Sequence, residues 1–243
     1  MPNLLFRFAL LAPLAIGGLF AASCGNSDDA RAGTPDRLEV VATIAPVGAV
    51  AKAVGGEFVD VHVLVKPGVD PHEFSLRVGD RKAIADADVI LRNGIGIDSF
   101  LDKNLDDVRE RVTTVSEGVE IRGEAGDDGD EDPHIWQSPE NVKVMARNAL
   151  DALVRADPGH AAQYRANADA YIARLDEADQ QVRAIIGSIP PANRKLVTNH
   201  DAFGYFIERY GLEFVGAVIP GQTTAAEPSA KDISKLEDTI RRE

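Results

Sequence analysis

The chain has 243 residues with 39 acidic and 26 basic side chains, a formal net charge of −13 at pH 7. That balance argues against a nucleic-acid binder, which needs a basic face to meet phosphate, and the 44% apolar and 27% charged content argues against global disorder. A single cysteine rules out an intrachain disulfide and a cysteine-rich zinc site, and confinement of the long apolar run to the N-terminus rules out a multi-span membrane protein.

Residues 1–23 read as a removable secretory signal. Arg7 supplies the positive charge and residues 8–22 the apolar stretch, broken by Pro13 and Gly17-Gly18, with Ala21, Ala22 and Ser23 as small residues before Cys24. Cys24 is either a stray thiol past an ordinary cleavage site or the acylated cysteine of a lipobox, A-A-S-C, with Ala21 where Leu is more usual. The following residues favour the lipobox, because 24–37 are polar and unpatterned, as a flexible tether is. Acyl chains on Cys24 would anchor the body to a membrane surface.

The body opens with a β-type run at 38–44. Pro46 starts a helix of small residues that stops at Gly55-Gly56, and 58–65 alternates as a second strand closed by Pro67-Gly68. A helix is predicted over 75–87, a strand over 88–92, a short helix over 98–106 and a strand over 112–115. This alternation predicts an α/β lobe with buried parallel strands, residues 38–137. Asn93-Gly94-Ile95-Gly96 lacks the third glycine of a nucleotide loop and reads as a turn. Residues 123–132 hold three Gly and six acids and form an exposed loop, read as a solvated charge run or as a weak cation collector.

Ser138-Pro139 then starts a helix with Ser as cap and Pro in the first turn, and Asp157-Pro158 repeats the signal. Nothing breaks the pattern from 158 to about 186, where Tyr164, Ala168, Tyr171, Ile172, Leu175, Val182 and Ile186 recur near a 3.6 period. About 29 helical residues span roughly 44 Å, so region 138–189 reads as helical, with a strut between two lobes. A strand at 195–198, a helix at 202–210, a strand at 214–219 and a charged helix at 230–242 make a partial second α/β lobe, 190–243. It stops about two strand–helix units short of matching the first.

Of the five histidines, two share a tripeptide: Asp70-Pro71-His72 and Asp132-Pro133-His134. His200 follows a strand in the same manner. Loops past the carboxyl ends of parallel strands are where open α/β folds bind ligands, and three neutral imidazoles suit zinc with a fourth position left over. Any one of them alone is an ordinary polar surface residue; the repeated motif shifts the balance. His62, inside an alternating strand, and His160, in a helix's first turn, are expected on the surface. Trp136 reads as a core aromatic at the lobe interface or as a cover for the ligand loop. Asp201 either orients His200 or caps the helix after it.

Several stretches together carry a resemblance: VVATIAPVGAVAKAVGG, VKPGVDPHEFSLRVGDRKAIADADVILRNGIGID, DPHIWQSPENV, and VTNHDAFGYFIERYGLEF followed by EPSAKDISKLEDTI. They cover nearly everything from Leu38 onward, and the chain resembles the zinc and manganese solute-binding lipoproteins of bacterial ABC importers. The resemblance implies two α/β lobes with parallel sheets joined by one long rigid helix, a metal in the cleft, and ligands at His72, His134 and His200. Histidine at the third place is similar to the zinc-preferring variant, since manganese members more often have Glu there, a harder ligand. Two departures stand out. The family's fourth ligand, an Asp far along the second lobe, has no counterpart up to residue 243, and an acidic loop stands where zinc relatives often carry a His-rich one.

The expected function is therefore not enzymatic. It is capture of Zn(II), with Mn(II) less favoured, by an extracytoplasmic, lipid-anchored monomer in the cell envelope, and delivery to a membrane ABC permease. Affinity should fall as pH drops toward the usual histidine pKa of about 6.5. The alternatives are a manganese- or iron-binding member of the same class, a zinc-dependent hydrolase, and an adhesin-like surface lipoprotein with a structural metal. The hydrolase lacks an H-E-x-x-H motif and an evident general base.

Overall fold

The computed structural model describes residues 37–123, 131–225 and 227–242. The predicted signal at 1–23, Cys24, the tether except Arg37, and most of the acidic 123–132 stretch lie outside the described residues.

Four parallel strands, β1 (Leu38–Ile44), β2 (Val59–Val65), β3 (Val89–Arg92) and β4 (Val112–Thr114), form one sheet in the order β2-β1-β3-β4. Val40 of β1 stands opposite Val61 of β2 and Val89 of β3. Because β1 is central and covered on both faces, its sequence is nearly all apolar rather than alternating. Val40, Ala42 and Ile44 face a core built with α1 (Ala45–Gly55), α3 (Pro139–Ala156) and the first half of α4 (Ala161–Ser188), including Val47, Met145, Leu153 and Tyr164. On the opposite face, Val41 packs with Leu64, Ile90, Leu101 and Ile84 of α2 (Val78–Asp86). Gly48 lets α1 lie close on the sheet, since a Cβ there would fall 2.4 Å from Val63 Cγ2.

Elements match their expected positions with instructive differences. The helix predicted from 75 begins only at Val78, because the Asp80 carboxylate accepts the Arg77 N–H at 2.8 Å and sets the first turn there. The helix predicted over 98–106 is a 3-10 segment, Ser99–Asn104. The reason lies at its start: the Asp98 carboxylate is buried and accepts from Thr43 Oγ1 and from the backbone N–H groups of Asn93 and Gly94, so it caps the preceding turn instead. Ser138 stands before α3, but its side chain makes no capping hydrogen bond. Asp157 does act as a cap, accepting from Gly159 N at 3.1 Å to form a 3-10 turn before α4.

At 28 residues, α4 spans about 42 Å. It runs from the first sheet to a second pair of parallel strands, β5 (Lys195–Thr198) and β6 (Glu213–Ala217), connected by α5 (Gly204–Tyr210) and followed by α6 (Ala230–Arg242). The molecule is thus an α/β fold of two lobes with parallel sheets and a long linking helix. Charged groups one turn apart in its second half fix that helix to a neighbour on each side. Lys143 of α3 bonds to Asp176 of α4, and Asp179 of α4 accepts from Arg209 Nε at 2.6 Å and from Tyr210 Oη at 2.8 Å, both on α5. Among the described residues no helix is long and apolar enough to cross a membrane.

Candidate metal site

Each of the three predicted histidines lies beyond the carboxyl end of a parallel strand: His72 after β2, His134 between β4 and α3, His200 after β5. The two D-P-H motifs fold alike. Asp70 Oδ1 accepts the His72 backbone N–H at 2.9 Å, and Asp132 Oδ1 accepts that of His134 at 2.9 Å. In both, the aspartate closes a turn onto its own chain two residues on, with proline fixing the backbone between.

The rings converge. His134 Nε2 lies 3.3 Å from His72 Nε2 and 3.3 Å from His200 Nε2, and one nitrogen from each of the three falls within 4.8 Å of the others. A tetrahedral metal with bonds of about 2.0–2.1 Å to nitrogen places its ligand atoms about 3.3–3.4 Å apart, so both short edges have the length such an ion requires. His134 is buried, and its Nδ1 lies 2.8 Å from Asp132 Oδ1. A carboxylate there accepts a hydrogen bond from Nδ1–H, which leaves the Nε2 lone pair facing its two neighbours.

The site favours bare imidazoles. Burial and the neighbouring His134 lower the His72 pKa to about 4 against the opposing pull of Asp70. His200 is lowered by the same two causes, against Asp70 and Asp132. Two neutral rings therefore present lone pairs at neutral pH.

Contacts from both lobes shape the rim. The Asp70 carboxylate also accepts from Thr224 Oγ1, in the loop after β6. Asn93 Nδ2 donates to the Pro133 carbonyl at 3.1 Å, so the turn at 93–96 supports the second histidine. Trp136 packs against the first core and also sets its ring edge-on to His134, with centroids 5.4 Å apart, which combines the two expected roles.

Among the described residues, the carboxylate that hydrogen-bonds the ring of a site histidine is Asp132. Asp201 is 8% exposed, and burial with the Asp132 charge raises its pKa, but among the described residues its carboxylate hydrogen-bonds neither His200 nor the start of α5. The signal for Asp132 lay in its own motif, two residues before the ring it holds. Tyr205 is a further contributor with no sequence signal: its hydroxyl donates to the Asp132 carbonyl at 2.9 Å and accepts from Arg122 N at 3.1 Å. Of the two remaining histidines, His62 is exposed as expected, with Nε2 3.8 Å from Asp80. His160 is not a free surface group: it is half-buried, stacked on Phe58 at 4.4 Å and bonded to Asp157.

The family model for the zinc-uptake complex component A, periplasmic, matches residues 40–243. The zinc-binding protein TroA of Treponema pallidum is 33% identical over 228 residues, covering 92% of this chain and 72% of TroA. Its structure superimposes with a TM-score of 0.77 at 32% identity over 84% of this chain and 74% of TroA. The manganese-binding lipoprotein MntA of Halalkalibacterium halodurans is 30% identical over 242 residues, covering 99% of this chain and 78% of MntA. The iron ABC transporter substrate-binding lipoprotein MtsA of Streptococcus pyogenes is 29% identical over 246 residues, 97% of this chain and 78% of MtsA.

Proposed function

The chain belongs to the zinc-uptake complex component A family, the metal-binding substrate-binding components of ABC importers, and from that premise we propose that His72, His134 and His200 capture Zn(II) as cargo. Such components are transport proteins rather than enzymes and work with a membrane permease, which sets the hydrolase reading aside. The observation that carries the proposal is the convergence of three Nε2 atoms with two edges of 3.3 Å.

The choice of zinc rests on donor chemistry. Relatives are named for zinc, manganese and iron, so kinship leaves the metal open. Three imidazole nitrogens without a carboxylate among them suit zinc, whereas manganese favours oxygen. In this reading, neutral imidazoles take the ion as it enters between the lobes. His134, held by Asp132, serves as the fixed ligand, and His72 and His200 bring one ligand from each lobe. The fourth vertex of a tetrahedral site is left to another donor or to water. Relatives of this class are periplasmic or lipoprotein binding proteins, and acylation of Cys24 would place this one at the membrane beside its permease.

The test is a competitive titration of the chain with zinc and with manganese, repeated on His72→Ala and His134→Ala. One zinc site per chain, lost in both variants and filled poorly by manganese, is the expected result. Preferential manganese binding would move the assignment to the manganese and iron branch, and zinc binding that survives both substitutions would end this reading of the site.

A further inference from the structure

The hold on His134 extends through Asp132 into the second lobe. Asp132 Oδ1 serves the histidine, while Asp132 Oδ2 is buried with no hydrogen-bond partner among the described residues. The same is true of Arg122 Nε, which lies 3.8 Å from that oxygen. Two desolvated groups of opposite charge thus stand just out of hydrogen-bond reach. The groups that hold the guanidinium back sit on α5. Arg122 Nη1 bonds to the Glu208 carboxylate, the guanidinium carbon lies 5.8 Å from the centre of the Tyr205 ring, and the Arg122 backbone N–H donates to the Tyr205 hydroxyl. Gly204 leaves room for this arrangement, since a Cβ there would come within 2.6 Å of Arg122 Nε and 2.8 Å of Asp132 Oδ2.

We propose that Arg122 is a positioning residue that sets how tightly His134 holds a divalent metal, and that Glu208 governs how far Arg122 engages Asp132. The proposal rests on the metal-capture reading above. A carboxylate that accepts a hydrogen bond from Nδ1–H of a ligating histidine makes the ring a better donor to the metal. When the guanidinium closes on the free oxygen, it draws charge from the carboxylate, and Nε2 becomes a weaker ligand. When Glu208 holds the guanidinium away, His134 keeps the full effect of Asp132. Glu208 belongs to α5 and Asp132 to the loop leading into α3, so any shift of the second lobe redistributes Arg122 between the two carboxylates. Lobe position and grip on the ion are thereby linked by one side chain.

The test is a zinc titration against a competing chelator on the full chain, comparing the unsubstituted protein with Arg122→Gln, Glu208→Gln and the double variant. Arg122→Gln should bind zinc more tightly and Glu208→Gln more weakly, each change approaching the low end of the about 10- to 100-fold range known for groups behind a metal ligand. In the double variant the Glu208 effect should vanish. Shifts of the same sign, or a Glu208 effect that persists without Arg122, would overturn the relay, because general damage gives the first and direct attraction of the ion by Glu208 gives the second. Glu208 is 69% exposed, so Glu208→Gln can still be read if Arg122→Gln does not fold, and unchanged affinity there overturns the proposal. A chain that binds no zinc, or binds it equally as His134→Ala, overturns the capture reading and the relay together. Zinc binding lost in His134→Ala with additive variants overturns the relay only.

Discussion

His134 Nδ1 lies 2.8 Å from Asp132 Oδ1, and that same oxygen accepts the His134 backbone N–H at 2.9 Å. One carboxylate oxygen therefore fixes both the backbone and the ring of the most deeply buried of the three histidines. Asp132→Ala should free the ring, allow either tautomer and weaken zinc binding about 10- to 100-fold. Asp132→Asn should retain part of the backbone turn while losing the charge, and should fall between the two. Isothermal titration with both variants checks the order; equal affinity for all three proteins would show that the carboxylate has no part in holding the metal.

Gly204 is the point where α5 touches this arrangement. A methyl group there would meet Arg122 Nε at 2.6 Å and Asp132 Oδ2 at 2.8 Å, closer than any non-bonded carbon can rest. Gly204→Ala should therefore push α5 away from the 122 and 132 strands of chain and lengthen the Tyr205 bond to the Asp132 carbonyl. The expected result is weaker zinc binding with a small loss of thermal stability, even though residue 204 contacts no ligand. Gly211→Ala, at the other end of α5 with no atom within 4 Å of the added carbon, makes a contrast: it should lower stability through its left-handed backbone and leave affinity nearly unchanged.

Why some of this was legible in the sequence and some was not follows from the range of each interaction. The strands of the first lobe were readable because burial on both faces leaves an apolar run, as in Leu38–Ile44. The histidines were readable because D-P-H occurs twice and the aspartate-closed turn is local to three residues. The segment at 98–106 forms a 3-10 turn rather than the expected helix because Asp98, a good helix opener by type, turns its carboxylate to Thr43, 55 residues earlier. Asp132 and Asp201 both flank a histidine in sequence, and only the fold distinguishes the carboxylate that reaches a ring, Asp132. Tyr205 and Arg122 meet across 83 residues, a distance that leaves no trace in local pattern.

The pH dependence expected from an ordinary histidine is displaced by burial. With His72 lowered to about 4, this ring stays mostly neutral at pH 5.5, where an imidazole titrating at 6.5 would be about 90% protonated. His200 shifts in the same direction. Protons on His72 should therefore compete with zinc only below about pH 5 and not near 6.5. The metal-free chain should behave differently. Between about 4 and 6.5 the unfolded state binds more protons at His72 than the folded state, so stability falls as pH drops through that window and levels off beneath it. Denaturant melts of metal-free chain at pH 7, 5.5 and 4, beside zinc titrations at pH 7 and 5.5, test both halves; an affinity that collapses at pH 6 would show that the rings are not shielded.

Asp179 ties the linking helix to the second lobe. It is 8% exposed and accepts from Arg209 Nε at 2.6 Å, Tyr210 Oη at 2.8 Å and Arg183 Nε at 3.0 Å. The Arg209 bond, more than any other contact, holds its carboxyl well below the usual range despite the opposing cost of burial. Its contribution is therefore present above the unfolded value near 4 and fades as the pH falls further. Asp179→Ala removes one partner of the buried pair and leaves Arg209 its ion pair with Glu140, at 2.8 Å, so it should cost about 3 kcal/mol, the scale for breaking a buried pair. The damage should be local. Tyr164, Ala168 and Leu153 keep the first half of α4 on the first core, whereas α5 loses its main attachment to the helix. Amide exchange should accordingly rise in α5 and β6 while β1 and β3 stay protected. Uniform acceleration through both lobes would instead mean that the whole chain unfolds as one unit and that the linking helix does not isolate one lobe from the other.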